Sequence, residues 1–258
     1  MHASDTHLTL ADARDGKRKT DLAERRQKTF PEADEMFEKM IALQKKTGAL
    51  LVHTGDLIDF VSLANLEKAA EFTAQTDCFF AAGNHEFSLY VGEAKEDAAY
   101  REQSLAKVQA AFANDIRFSS RVVNGVNFVA ADNSYYLMEE SQLNALKAEA
   151  EKGLPVVLCV HTPLYSEGLY DYLLNKEGKN SPAYLMSVPE EKMRHYTPDR
   201  YEQQKEDAAT HEAYEFIRHC PQIKAILAGH VHCPFAFEFG DKMQYGVGCT
   251  DIRLIDFT

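Results

Sequence analysis

The side chains of this sequence best able to do chemistry fall in five short blocks: Asp5-Thr6-His7, Gly55-Asp56-Leu57-Ile58-Asp59, Gly83-Asn84-His85-Glu86, His161-Thr162-Pro163 and Gly229-His230-Val231-His232. Residues two apart on an extended segment point the same way, so Asp5 with His7, and His230 with His232, can each face one cation. Each block alone has a plain structural reading. A Gly-Asp is a common turn, and a histidine before Thr-Pro is a common loop residue, whereas Gly-Asn-His-Glu is a far rarer tetrapeptide. Their joint occurrence is what points to metal chemistry.

Strands must deliver these blocks. ALLVHT runs into Gly55-Asp56, CFFAA into Gly83-Asn84, VVLCV into His161, and AILA into Gly229-His230. Between them lie helical patterns: PEADEMFEKMIALQKKTG, the stretch from Val61 to Thr76, residues 94–114, and EESQLNALKAEAEKG, stopped by Gly153. RVVNGVNFVAADNS reads as a hairpin turned at Asn124-Gly125, and IKAILAGHVH, PFAFEF, KMQYGVG and DIRLIDF close the chain as strands. Parallel βαβ units followed by antiparallel strands predict an α/β fold. In open sheets of this kind the binding crevice lies beyond the carboxyl ends of the strands, where the five blocks would gather.

At 258 residues the chain suits a single domain over 1–258. Residues 164–200, rich in tyrosine and weakly periodic, read as an inserted lid. The formal charge of -12 argues against binding a nucleic-acid duplex or an anionic membrane, and no apolar run approaches the about 18 residues of a membrane span. Five scattered cysteines without a C-x-x-C pair read as reduced thiols. With no basic-then-apolar leader, the expected location is cytoplasmic. Only Met1-His2-Ala3-Ser4 precede the first block, so its strand is expected to be a stub or to begin upstream. The run ERRQK, Glu24 to Lys28, reads as a solvated helix face first and as a phosphate-facing cluster second.

In this order, D-x-H, G-D-x-x-D, G-N-H-E, a lone histidine after an apolar strand and G-H-x-H resemble the calcineurin-like metallophosphoesterases from Asp5 to His232. The resemblance implies a four-layer αββα sandwich of two mixed β-sheets flanked by helices. It implies two adjacent divalent metal ions, one held by Asp5, His7, Asp56 and His232, the other by Asp56, Asn84, His161 and His230, with Asp56 bridging. The donor chemistry agrees. Four imidazoles, two carboxylates and an amide oxygen suit Mn²⁺, iron, Co²⁺ or Zn²⁺ better than Mg²⁺, and the lack of thiolate disfavours a structural zinc. Two such ions lower the pKa of a shared water and hold the attacking and leaving oxygens of an in-line phosphoryl displacement. His85 is implied as general acid, with Asp59 and Glu86 read as catalytic carboxylates that orient it or a ligating histidine. His2, His53, His195, His211 and His219 are left outside the site. The expected partner is a small phosphate ester, monoester or diester. A catalytically silent scaffold on the same fold is the other reading, and it would show broken ligand blocks.

Overall fold

The computed structural model describes residues 1–92, 96–178 and 182–256. In chain order its regular elements are β1 (His2–Ala3), α1 (Lys17–Arg26), α2 (Ala33–Thr47), β2 (Leu51–His53), α3 (Leu63–Gln75), β3 (Cys78–Phe80), α4 (Ala98–Glu102) and α5 (Leu105–Gln109). They continue with β4 (Phe118–Val123), β5 (Val126–Ala131), α6 (Glu140–Glu151), β6 (Val156–Cys159), α7 (Glu167–Glu177), α8 (Pro198–Gln204), α9 (Ala208–His219), β7 (Ile223–Ala228), β8 (Phe235–Phe239) and β9 (Lys242–Gly246).

Local chemistry accounts for several boundaries. The Ser62 side chain accepts from Asn65 N and starts α3, while Gly48, at φ 65°, ends α2 in the left-handed conformation. Asn124 and Gly125 both have positive φ, 50° and 81°, as a tight two-residue hairpin turn between β4 and β5 demands.

Three strands form one sheet, ordered β1-β2-β3, and six form the other, ordered β4-β5-β6-β7-β9-β8. Period-two alternation sorts the first sheet's side chains onto two faces. Val52 and Phe79 face Phe128, Val157 and Leu227 of the second sheet, whereas Leu51 and Phe80 pack with Phe37, Met40 and Phe72 of α2 and α3. The outer face of the second sheet, through Val129, Leu158 and Ile226, packs on α6 and α9. Four layers result, helices outside and sheets within.

The three named strands of the smaller sheet are parallel, and its mixed character rests on one isolated antiparallel bridge at its edge, His2 to Arg253. That bridge is all that forms of the expected strand DIRLIDF, whose last residue lies outside the described ones. The 94–114 pattern resolves into the short helices α4 and α5, its first two residues also lying outside. An unforeseen helix, α1, precedes α2. Within 164–200, α7 and the following chain bury Leu169, Leu173, Leu185, Met186 and Met193 in the helical side of the larger core. Its tyrosine-rich composition hid that anchoring. Among the described residues no helix is long and apolar enough to cross a membrane.

Phe79 is 2 % exposed between the sheets, so Phe79→Ala should cost about 3–5 kcal/mol in urea unfolding. Val122→Thr, on a residue 53 % exposed, should stay within about 0.5 kcal/mol.

Candidate metal centre

All five blocks meet at one place. Backbone hydrogen bonds lace their loops together: Asp5 N donates to Gly55 O, His7 N to Asp56 O and Gly229 N to His161 O, each at 2.9 Å. His230 N donates to Asp5 Oδ1 at 2.9 Å. Glycine is required where these loops touch. A Cβ on Gly83 would stand 2.2 Å from Asp56 Oδ1, and one on Gly229 1.9 Å from Ser4 Oγ. Asp5, His7, Asp56, His230 and His232 all hold positive φ, between 49° and 69°, a conformation that side chains other than glycine adopt at a cost.

One ligand atom from each of Asp5, His7, Asp56 and His232 lies within 4.8 Å of the others, and the same holds for Asp56, His161 and His230. Asp56 belongs to both groups. Asn84 Oδ1 joins the second, 3.2 Å from His161 Nε2. His7 Nε2 and His232 Nε2 stand 3.0 Å apart, and His161 Nε2 is 3.1 Å from His230 Nδ1 and 3.3 Å from Asp56 Oδ2.

The far side of each ring shows which nitrogen carries the proton. His7 Nδ1 donates to Asp59 Oδ1 at 2.9 Å, and His161 Nδ1 to the Thr54 carbonyl at 2.7 Å. Both partners only accept, so the inward Nε2 of each neutral ring is a lone pair. His230 turns Nδ1 inward and meets the Tyr136 hydroxyl with Nε2 at 3.0 Å. The Asn84 amide is set likewise, because Nδ2 donates to Glu96 Oε1 at 3.0 Å and leaves Oδ1 facing the cluster. Lone pairs converging at about 3 Å repel unless a cation lies among them, and this donor set fits a divalent metal.

Protons take part of that role in the metal-free chain. Burial lowers the His161 imidazolium, but the Asp56 charge outweighs it and lifts the group to about 9. The same contest at His85, burial against Asp56 and then Asp59, ends at about 10. Burial favours the neutral acid at Asp56 too, yet the surrounding imidazoles, His161 first, hold it well below the usual carboxylate range. Burial drives His230 well down.

The carboxylates outside the ligand groups divide. Asp59 orients both His7 and His85, whose Nδ1 lies 2.7 Å from Asp59 O and 3.3 Å from Asp59 Oδ1. Glu86 orients no imidazole. Fully buried, it accepts backbone N–H groups from Gly83, Asp56, Leu57 and Ile58 at 2.7, 2.8, 2.8 and 3.2 Å, and so shapes the Asp56 loop. His53 and His2 lie buried in strands beneath the site, bonded to Thr6 and Thr54, and burial drops both to about 3. His195, His211 and His219 are remote, the latter two on α9.

Several positioning residues were not foreseen. Arg26, read as part of a solvated face, lies on Asp59 with Nε at 2.6 Å and Nη2 at 2.8 Å. Its spacing four residues after the buried Leu22 on α1 was the available signal. Phe30 stacks on His7 at 4.1 Å. Asn133 Oδ1 accepts from His161 N and Thr162 N at 3.0 and 2.9 Å. Asn133 and Tyr136 follow β5, which is parallel to β6 and so ends at the same edge.

The fold and this cluster define a metal-dependent hydrolase of phosphoric esters. The family model of the calcineurin-like phosphoesterases matches residues 1–234, and the chain belongs to that family. No curated protein matches it in sequence. A dimetal phosphatase from Danio rerio is similar in structure, with a TM-score of 0.50 at 14% identity over 96% of this chain and 86% of that one. A candidate 5′-nucleotidase from Staphylococcus aureus gives 0.46 at 13% identity over 96% of this chain, which spans only 48% of that protein. A phosphopantetheinyl hydrolase from Mycobacterium tuberculosis gives 0.43 at 12%, over 78% of this chain and 79% of that one.

Removing the Tyr136 hydroxyl leaves the buried His230 Nε2 without its partner. Tyr136→Phe should weaken Mn²⁺ binding by calorimetry about 10- to 100-fold while the metal-free protein melts as before. Unchanged affinity would mean that the phenol only packs.

Proposed function

We propose that this chain hydrolyses small phosphate esters at two adjacent divalent cations that share Asp56, with His85 supplying the proton to the leaving oxygen. The observation carrying this reading is the pair of ligand groups meeting at one buried carboxylate, Asp56, with the His85 backbone bonded to it. Asp5, His7, Asp56 and His232 would hold one cation, and Asp56, Asn84, His161 and His230 the other. Bound there, such cations supply charge to neutralise the phosphate and to bring the pKa of a water toward neutrality.

The chain's own residues do the rest. His85 N donates to Asp56 Oδ1 at 2.9 Å, which seats the ring against the centre. With Nδ1 committed to Asp59, Nε2 is the nitrogen left to deliver a proton, and His85 lines a cavity with room for the leaving alcohol. Asp59 keeps the ring in place after transfer, and Arg26 holds Asp59 ionised. Cations held by the two ligand groups would lower the His85 pKa from its metal-free value of about 10, toward the range where a general acid works at neutral pH.

The net charge of -12 supports a small substrate over a duplex, since the metals would carry the local positive charge. Five free cysteines fit a reducing, cytoplasmic compartment. We read 1–258 as one domain in which 164–200 borders the active site. An interaction scaffold would tolerate a broken ligand block, and every block here keeps its side chains.

Purified protein should hydrolyse 4-nitrophenyl phosphate only with Mn²⁺ or a similar ion, and absence of metal-stimulated turnover on any ester would refute the assignment. His85→Gln should slow an alkyl phosphate about 100- to 10,000-fold and the nitrophenyl ester, with its better leaving group, much less. A general acid must be protonated, so the alkyl phosphate rate should fall as pH rises through the His85 pKa. That alkaline limb should vanish in His85→Gln, and its survival would assign the proton to another group.

A further inference from the structure

Beside the centre lies a cavity of about 980 Å³, with Asn84 and His85 on its inner wall and α8 on its outer one. If His85 protonates the leaving oxygen, the rest of the leaving alcohol enters this cavity. Among the described residues Arg200, brought by α8, is the only lysine or arginine lining it.

The guanidinium of Arg200 is unlike others in this acidic chain. Arg14, Arg26, Arg101, Arg117 and Arg121 each donate directly to a carboxylate. Arg200 donates to the neutral Gln203 side chain, and its nearest approach to Glu96 is 3.7 Å, beyond hydrogen-bond reach. It lies 5.3 Å from the centroid of the Tyr184 ring, which holds it over an apolar face. Glu96 does not close the gap, because its Oε1 is engaged by Asn84 and its buried Oε2 accepts no hydrogen bond. Among the described residues, a planar fork able to bind an oxyanion with two hydrogen bonds therefore faces the cavity with a 3.7 Å ion pair to Glu96 but no hydrogen bond to a carboxylate.

We propose that Arg200 is a specificity-determining residue that takes a carboxylate or second phosphate carried on the leaving alcohol. This rests on the phosphoesterase reading above. Three further carboxylates line the cavity, those of Asp97, Asp199 and Glu202, but all are exposed at its rim, where solvent and salt screen them. They weigh against a leaving group with several negative charges and leave room for one anionic group.

The test uses two matched pairs as competitors of 4-nitrophenyl phosphate hydrolysis in Mn²⁺: 3-phosphoglycerate with glycerol 3-phosphate, and fructose 1,6-bisphosphate with fructose 6-phosphate. The first pair differs by a carboxylate and the second by a phosphate, so they distinguish the two anions. In the unmodified protein the anionic member of at least one pair should bind about tenfold tighter or better. Arg200→Met should bring that ratio to about one, and Arg200→Lys, which keeps the charge and loses the fork, should keep part of it. Each ratio is internal to one variant, and where turnover is slow it is read from dissociation constants by calorimetry. A ratio near one for both pairs in the unmodified protein, or one unchanged in Arg200→Met, overturns the role of Arg200 and leaves the phosphoesterase reading standing. No hydrolysis of 4-nitrophenyl phosphate overturns that reading and this proposal together.

Discussion

The Glu86 carboxylate accepts one backbone N–H from its own loop, at Gly83, and three from the loop after β2, at Asp56, Leu57 and Ile58. Hydrogen bonds to a charged group contribute about 1.5–3 kcal/mol each. A residue other than glycine held in the left-handed region costs about 1–3 kcal/mol, and five ligand residues, Asp56 among them, sit there. Burial, followed by the Asp56 charge, raises the Glu86 carboxyl to about 8 against its four donors. A cation on Asp56 would relieve that repulsion, so the loop scaffold and the metal centre favour the same charge state.

The inward-facing donors pose the complementary problem. His7 and His161 are turned so that neither can present an N–H to the cluster while neutral, and both nitrogens face other acceptors. The rings are held from behind by Asp59 and the Thr54 carbonyl, groups that cannot follow a moving imidazole without breaking strand-end structure. Folding thus builds the repulsion in advance, and a divalent ion is what the arrangement accommodates. Arg26, close to the centre, is spent on Asp59, so in a chain of net charge -12 bound cations would carry the positive charge at the ligand cluster itself.

Much of this was legible because strand ends leave marks in sequence. A short apolar run stopped by Gly-Asp, Gly-Asn or Gly-His names both the strand and the residue delivered; three strands could be placed that way, and a fourth by the run that ends at His161-Thr162-Pro163. β1 carries no such mark, because its two residues have no apolar run around them and are placed by contacts distant in sequence, Val52 N to Met1 O and the bridge from His2 to Arg253. The loop after β5 was missed for a different reason. Its strand was seen as half of a hairpin with β4, and nothing in RVVNGVNFVAADNS tells that β5 is also parallel to β6. Only that second pairing sends Asn133 and Tyr136 to the site. Glu86 sits beside His85 in sequence, but the short turn over His85–Phe87 sends the two side chains to different work, one to Asp59 and one to backbone.

These origins also separate what is fixed from what can vary. Asp5, His7, Asp56 and His161 have almost no exposed surface and are held by two sheets, so a change there disturbs packing, loop geometry and charge at once. The described residues that border the cavity beside His85 come mostly from α8 and from either end of the loop between β3 and α4, and Glu96, Asp97, Arg200 and Glu202 among them are partly or fully exposed. The 164–200 segment joins the two regimes, since its apolar residues anchor it in the larger core while its last residue, Arg200, reaches the cavity. On the proposed reading, substitutions in α8 would alter which alcohol is accepted while leaving the ligand set intact, because α8 supplies none of the ligands.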